Sequence, residues 1–438
     1  MKTVSVPALL ASLSILLLPH AFGQGALTPP PGPPAPTMKS LQQIWDKIDG
    51  LEARTAVLEM QNSTLRTQNL QIAQLLGTLA STAGRFSWLL SEPAVALGGT
   101  GNSWLAYAPD GRPTMVVFNY LTNDVVFARF NGVQWDLTTV EHIPGGIYSP
   151  TMAYGPDGQP AIAYVGLGNL LKIARFDGGN NWTIWDVDAT GPSAGPSLAF
   201  NADGQPAIAY AAVGTTNSHL KFAEFDGSAW VLTVADTEND TGLLASLAFG
   251  PDGRPAIGYG RSGSGEDLWV VKFARRTGGT WATTLVDDGG SATVGYSISL
   301  AFGPDGQPAM AYKFTESWTN PNGNSHLVYA HFNGTTWASS IASDGLYGAT
   351  KVGNTVDLAF GFDGQPSIAF ATETSSGFLA VMRYIGQAWS LIKVDGTVGS
   401  GDSCSLAFGP DGEPAIAYGV DGGSPLKFAR KGIFAPKP

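Results

Sequence analysis

Carboxylates recur at one place in this chain. Six or seven positions after successive tryptophans stand Glu141, Asp188, Asp236, Asp287, Asp344 and Asp395. Acids repeated on one face could draw a cation, or each could cap its own turn through a side-chain oxygen, the commoner use of Asp at such places. The densest of these loops, Asp236-Thr-Glu-Asn-Asp240, lacks the glycine spacing of an EF-hand. The five histidines show neither His-x-x-x-His nor His-Glu spacing, so no transition-metal site and no cofactor is expected. Recognition of a ligand is better served by the stretch over 313–326, where Trp318 stands among Asn320 and Asn322, with Tyr296 and Tyr347 in the connections on either side. An aromatic plate beside amides offers stacking together with directional hydrogen bonds, the combination that sugar recognition needs.

These residues ride on a repeated phrase. An Asp-Gly turn followed two positions later by proline occurs seven times, with its aspartates at Asp110, Asp157, Asp203, Asp252, Asp305, Asp363 and Asp411. The intervals run from 46 to 58 residues, a period that belongs to propellers and solenoids. Each unit carries four short strand patterns separated by turn signals, the content of one propeller blade. Asp203-Gly204 and Asp226-Gly227 supply the residues that hairpin turns with positive φ prefer. The first two patterns of a unit alternate large (Leu198, Phe200, Ile208) with small (Ala199, Ala207, Ala209) and are apolar on both faces, so blades must cover them from both sides.

The seventh unit stops at Phe428-Ala-Arg430 without its Trp-bearing fourth strand, and that strand is found before the first unit, around Trp88. A strand from the start of the array would complete the last blade and remove two open sheet edges. The expected fold is therefore all-β: a seven-bladed β-propeller over 85–431 closed by an N-terminal Velcro strand, with a short tail over 432–438.

Three segments precede it. Residues 1–23 read as a secretory signal peptide, with Lys2 before an apolar run and small residues before a cut after Gly23. Residues 24–38 form a Pro-rich spacer. Residues 39–80 carry heptads in which every d position (Ile44, Leu51, Leu58, Leu65, Ile72, Leu79) is Leu or Ile, predicting a parallel α-helical coiled coil. Asn62 and Asn69 at a positions penalise slipped registers. In a parallel assembly Arg54 meets Glu59 and Lys47 meets Glu52 on the neighbouring helix. The chain's first partner is thus itself: Arg54-Thr-Ala-Val-Leu-Glu59 resembles the trimerisation motif of short coiled coils, which implies a homotrimer, with a homodimer, the state that Asn at a positions suits, as the alternative.

The bulk numbers narrow the rest. With 35 acidic against 24 basic residues the protein is a poor match to nucleic acid. The leader's apolar run is too short to span a membrane. A single cysteine, Cys404, excludes a disulfide framework and reads as a small buried residue. Export to the outside or the cell surface is expected, with the periplasm as the alternative.

The units resemble the repeats of exported prokaryotic propeller proteins, in which Ser-Leu-Ala-Phe-Gly-Pro-Asp-Gly is followed by Leu-Lys-Phe-Ala and an Asp/Asn-Gly-x-x-Trp corner. They are distantly similar to blades of fucose-binding lectins and sialidases. The stretch over 26–51 resembles the leader, spacer and helix shared by exported proteins of environmental bacteria. The corner (Asn131 to Trp135, Asp226 to Trp230, Asn333 to Trp337) resembles the sialidase Asp-box, which implies a blade-folding element rather than catalysis. Sialidase activity would need three arginines converging on one carboxylate, whereas Arg129, Arg175, Arg275, Arg383 and Arg430 occupy equivalent third-strand positions spread around the ring and read as solvated charge. The functional expectation is multivalent recognition of a glycan or another surface component. A glycoside hydrolase or lyase on the loop face, and an envelope protein without ligand, are the competing readings.

Overall fold

The computed structural model describes residues 86–433 except 93–99, 145–149, 180, 191–192, 214–216, 263–269, 290–292, 316–324, 344–351, 373–376, 386, 397–399 and 421–425; of residues 1–85 it describes Lys47 and Arg54, each helical and exposed. The heptad positions Leu51, Leu58, Glu59, Asn62, Leu65 and Asn69 lie outside the described residues, as do the leader and spacer. The chain divides into units Met1–Thr67 and Gln68–Pro438, and the second holds the propeller.

Twenty-eight strands, numbered in chain order, form seven four-stranded antiparallel sheets. Strands β2 (Thr100–Tyr107), β6 (Thr151–Tyr154), β10 (Ser193–Phe200), β14 (Thr241–Phe249), β18 (Thr293–Phe302), β22 (Val352–Phe360) and β26 (Ser400–Phe408) open blades one to seven. They touch one another in succession, and β2 touches β26, so the array is a closed ring with these strands innermost. In blade three, β10 pairs with Pro206–Val213, then Ser218–Phe225, then Trp230–Asp236.

Closure follows the split repeat. Strand β1 (Phe86–Ser91) lies antiparallel on β28 (Lys427–Ile433), with Trp88 opposite Lys431 and Ser91 opposite Phe428, and completes blade seven. Trp88 packs with Val381, Leu406 and Tyr418 on one side of that blade, and Phe428 packs with Leu105, Met115 and Trp135 of blade one on the other. Seven apolar clusters fill the interfaces between blades, and the second strands between them are almost wholly buried.

The Asp-Gly turns also touch around the ring. Gly204 has φ +79°, and a Cβ there would lie 2.7 Å from Pro156 Cγ in the preceding blade's turn, so backbone conformation and close approach both demand glycine. In this way the Pro-Asp-Gly phrase joins neighbouring blades as well as neighbouring strands.

Candidate ligand grooves between the blades

The recurring acids end the outermost strands, and their side chains are used up between blades. Asp188 Oδ1 accepts from the Thr190 amide (2.9 Å) and hydroxyl (2.5 Å), while Oδ2 accepts from Tyr210 OH (2.7 Å) and Lys221 Nζ (3.0 Å) of the next blade. Asp236 repeats the arrangement with Tyr259 (2.5 Å) and Lys272 (2.6 Å), Glu141 with Tyr164 (2.6 Å) and Lys172 (2.8 Å), and Asp395 with Tyr418 (2.7 Å) and Lys427 (3.3 Å). Asp287 binds Tyr312 (2.7 Å), and Val328 stands where the lysine would be. Asp344 lies outside the described residues.

One oxygen of Asp188, Asp236 and Asp287 caps its own turn, and at Glu141, Asp188, Asp236 and Asp395 the cation held is a lysine of the neighbouring blade. Desolvation acts against the charged form of Asp188, but bonds from Thr190, Tyr210 and Lys221 outweigh it and hold the carboxyl well below the usual carboxylate range. The Tyr210 phenol moves the other way, raised by burial and then by its bond to Asp188. The tyrosine and lysine partners were visible in the repeat as Ala-Tyr and Leu-Lys-Phe, but nothing in one unit says that they serve the carboxylate of another.

The third-strand arginines are also partnered, and the reading of them as solvated charge is corrected. Arg129, Arg175, Arg275, Arg383 and Arg430 bond Asp110, Asp157, Asp252, Asp363 and Asp411 of their own turns at 2.5–2.9 Å. Arg175, Arg275 and Arg383 also lie over Phe200, Phe302 and Phe408 of the following blades.

Between blades, a third-strand side chain meets the fourth-strand tryptophan of the next blade. Five of these contacts are T-shaped, with ring centroids 5.1–5.3 Å apart: Phe127–Trp182, Phe222–Trp281, Phe273–Trp337, Tyr329–Trp389 and Phe428–Trp135. At two interfaces the ring is missing, and Ile173 faces Trp230 and Val381 faces Trp88.

Between blades two and three, where Ile173 stands, a groove of about 460 Å³ opens. Its apolar walls are Trp230 and Trp185, the latter 48% exposed, and Arg175, Asp186, Gln205 and Ser228 supply polar groups. A second groove, of about 390 Å³, occupies the same place between blades five and six, lined by Tyr329, Tyr384 and Trp389 with Gln365, Ser340 and His331. Here His331 replaces the repeat's arginine and meets Asp305 through Nε2 at 3.0 Å, with its ring stacked parallel to Tyr329. Both grooves hold an aromatic wall, an amide and an ionisable pair within one concavity.

The ligand residues expected from sequence are not among these. Tyr296 lies in β18, the inner strand itself, so the connection into blade five ends earlier than expected. Trp318, Asn320, Asn322 and Tyr347 lie outside the described residues. The signal that would have found the groove was Trp185, a second tryptophan in a strand where the other blades carry one, together with Ile173 in a column of aromatic residues.

No family model matches the sequence, and no curated protein matches it. Solved structures do resemble the fold. The PL25 polysaccharide lyase, an ulvan lyase solved with -[GlcA(1-4)Rha3S]-, superposes with a TM-score of 0.58 at 14% identity, over 78% of this chain and 95% of that one. The polysaccharide lyase Uly1 gives 0.54 at 10% identity, over 77% and 90%. A six-bladed fucose-recognising lectin of Aleuria aurantia gives 0.43 at 13% identity, over 70% and 99%. At these identities what the chain shares with the two lyases is the propeller fold.

Proposed function

We propose that this chain is a secreted or surface-exposed binding protein that recognises a glycan or a related surface component through grooves between its blades, several propellers being gathered by the N-terminal coiled coil. The reading rests chiefly on the opening beside Ile173, where Trp185 and Trp230 offer apolar faces and Arg175, Asp186, Gln205 and Ser228 offer donors and acceptors. Pyranose rings have apolar faces edged by hydroxyls, so stacking and directional bonds together give both affinity and orientation. The equivalent groove at Trp389 makes one propeller bivalent, and a homotrimer or homodimer multiplies its avidity without new contacts. The loop bearing Trp318, Asn320 and Asn322, with Tyr296 and Tyr347, is proposed as a further contact.

A glycan array read with the parent, Trp185→Ala and Trp318→Ala tests this. Loss of about tenfold or more in affinity for Trp185→Ala, the scale of a tryptophan hot spot, is expected. Unchanged binding by Trp185→Ala with loss in Trp318→Ala would move the site to the loop, and no glycan bound by the parent would end the reading.

A further inference from the structure

In three blades the third-strand arginine fills a seat of one design. Arg175, Arg275 and Arg383 bond the Asp of their own turn and hold the guanidinium 4.7–5.4 Å from the rings of Phe200, Phe302 and Phe408 in the following blade. The floor of the seat is a glycine. A Cβ at Gly250 would lie 2.9 Å from Arg275 Nη2 and 3.2 Å from Phe302 Cε1, and one at Gly361 would lie 3.0 Å from Arg383 Nη2 and 3.3 Å from Phe408 Cε1. Glycine, carboxylate and aromatic face thus enclose a planar cation at the boundary of two blades.

Blade five keeps the seat and changes its occupant. Gly303 and Asp305 are present, as is Phe360 of blade six, but His331 stands at the arginine's position, opposite Ala309 where Arg275 is opposite Ala256. A Cβ at Gly303 would meet Asp305 Oδ1 at 2.8 Å and Phe360 Cζ at 3.3 Å, with no third-strand side chain as near. The imidazole turns toward its own strand instead, with Nε2 on Asp305 Oδ2 (3.0 Å) and its ring parallel to Tyr329. Among the described residues no cation lies over Phe360. Blade three also lacks the arginine, but there Asn201 replaces the glycine and Glu224 binds Arg276 of the next blade, so the seat is not built.

The seat of blade five opens into the groove of about 390 Å³ already described, where Asp305 and Phe360 stand beside the rings of Trp389 and Tyr384 and the amide of Gln365. Half of the Asp305 side chain is exposed. Its Oδ1 accepts from the Gln307 amide (3.1 Å) and its Oδ2 faces His331, which leaves acceptor directions on both oxygens. In the groove beside Ile173 the corresponding cation is supplied by the chain, as Arg175 over Phe200. The two grooves share aromatic walls and differ in charge at one equivalent place.

Resting on the glycan reading above, we propose that the groove between blades five and six selects a saccharide with a free amino group, whose ammonium takes the seat over Phe360 and beside Asp305 while a sugar ring stacks on Trp389. An ammonium there gains from the aromatic face and from the carboxylate together. Acylating the amine removes the charge and leaves the ring. His331 is then the residue that separates the specificities of the two grooves, since an arginine in its place would supply the cation from within.

Isothermal titration calorimetry of the full chain near neutral pH, with glucosamine oligosaccharides set against their N-acetylated counterparts, tests the assignment. The parent is expected to bind the free amine about threefold to thirtyfold more tightly, the range of a cation on an aromatic face. His331→Arg installs the residue of five other blades and should remove that preference while keeping Tm. Asp305→Asn, which retains an oxygen for the Gln307 amide, should remove it as well and serves if the arginine variant unfolds early. Trp185→Ala should leave the preference in place. Equal affinity for both oligosaccharides, or a preference that persists in both His331→Arg and Asp305→Asn, would overturn the seat and leave the glycan reading standing. Binding of other glycans but of neither oligosaccharide, or of arginine amide in their place, would overturn it too, and a parent that bound no saccharide on the array would end both readings.

Discussion

Ile173 shows how much one side chain decides. Five interfaces close with an aromatic ring set edge-on to tryptophan, and such pairs contribute about 0.5–1.5 kcal/mol beyond area burial. Where isoleucine stands instead, the interface gives up that term and lines the larger of the two grooves, while the groove at Tyr329 and Trp389 opens with the ring pair in place. Restoring the ring by Ile173→Phe is expected to leave Tm unchanged or raise it while weakening glycan binding to what the groove at Trp389 alone supports. Calorimetric unfolding together with the array would check both halves, and binding as tight as the parent's would place the ligand elsewhere. Asp357 of the inner strand β22 makes the opposite exchange, since burial lifts its carboxyl to about 6 against an ordinary value of 3.8. A folded-state pKa above the unfolded one means that the contribution is full below the unfolded value and is lost as pH rises through about 6. Asp357→Ser, with the residue that the neighbouring inner strands carry as Ser299 and Ser405, should therefore gain stability on the parent between about pH 5 and pH 8.

At the scale of elements, β1 is the one strand taken from outside its blade's own run of sequence. It covers the edge of β28 over its whole length and brings Trp88 against Val381 and Leu406. Without it, blade seven would present an unpaired strand. Deleting residues 86–91 should lower Tm sharply or yield aggregates, whereas moving the same residues behind residue 433 through a short linker should restore cooperative unfolding. Failure of the relocated strand to rescue would mean that β1 serves some purpose other than edge pairing. The acid, tyrosine and lysine clusters act at this scale too, since each one spans a blade boundary. They hold the ends of outer strands to the middle of the next sheet, where Asx-type capping alone would have left the boundary to apolar contact.

For the whole molecule, the ring fixes the grooves in one rigid body, and the heptads over 39–80 would decide how many rings are displayed together. A chain beginning at Arg85 should sediment as a monomer and bind with the affinity of one propeller, while the full chain should sediment as a trimer or dimer and bind multivalent surfaces more tightly by avidity. Oligomers in the shortened chain, or monomers in the full one, would show that the heptads do not assemble it.

Blade number, strand order and closure were all legible in the residues. Turn chemistry is local, so Asp-Gly before proline marks each hairpin wherever it falls, and alternation marks which strands are covered on both faces. The missing fourth strand of blade seven and the spare strand at Trp88 could be matched by counting. The grooves depended on tertiary structure, because they arise where side chains from different units meet. Ile173 belongs to one blade and Trp230 to the next, and whether an isoleucine leaves a void there is a question of packing between residues more than fifty positions apart. Asp357 likewise reads as an ordinary polar substitution in a strand, and its bonds to Ser299 and to the Leu406 amide of the next blade exist only when seven strands close into a ring.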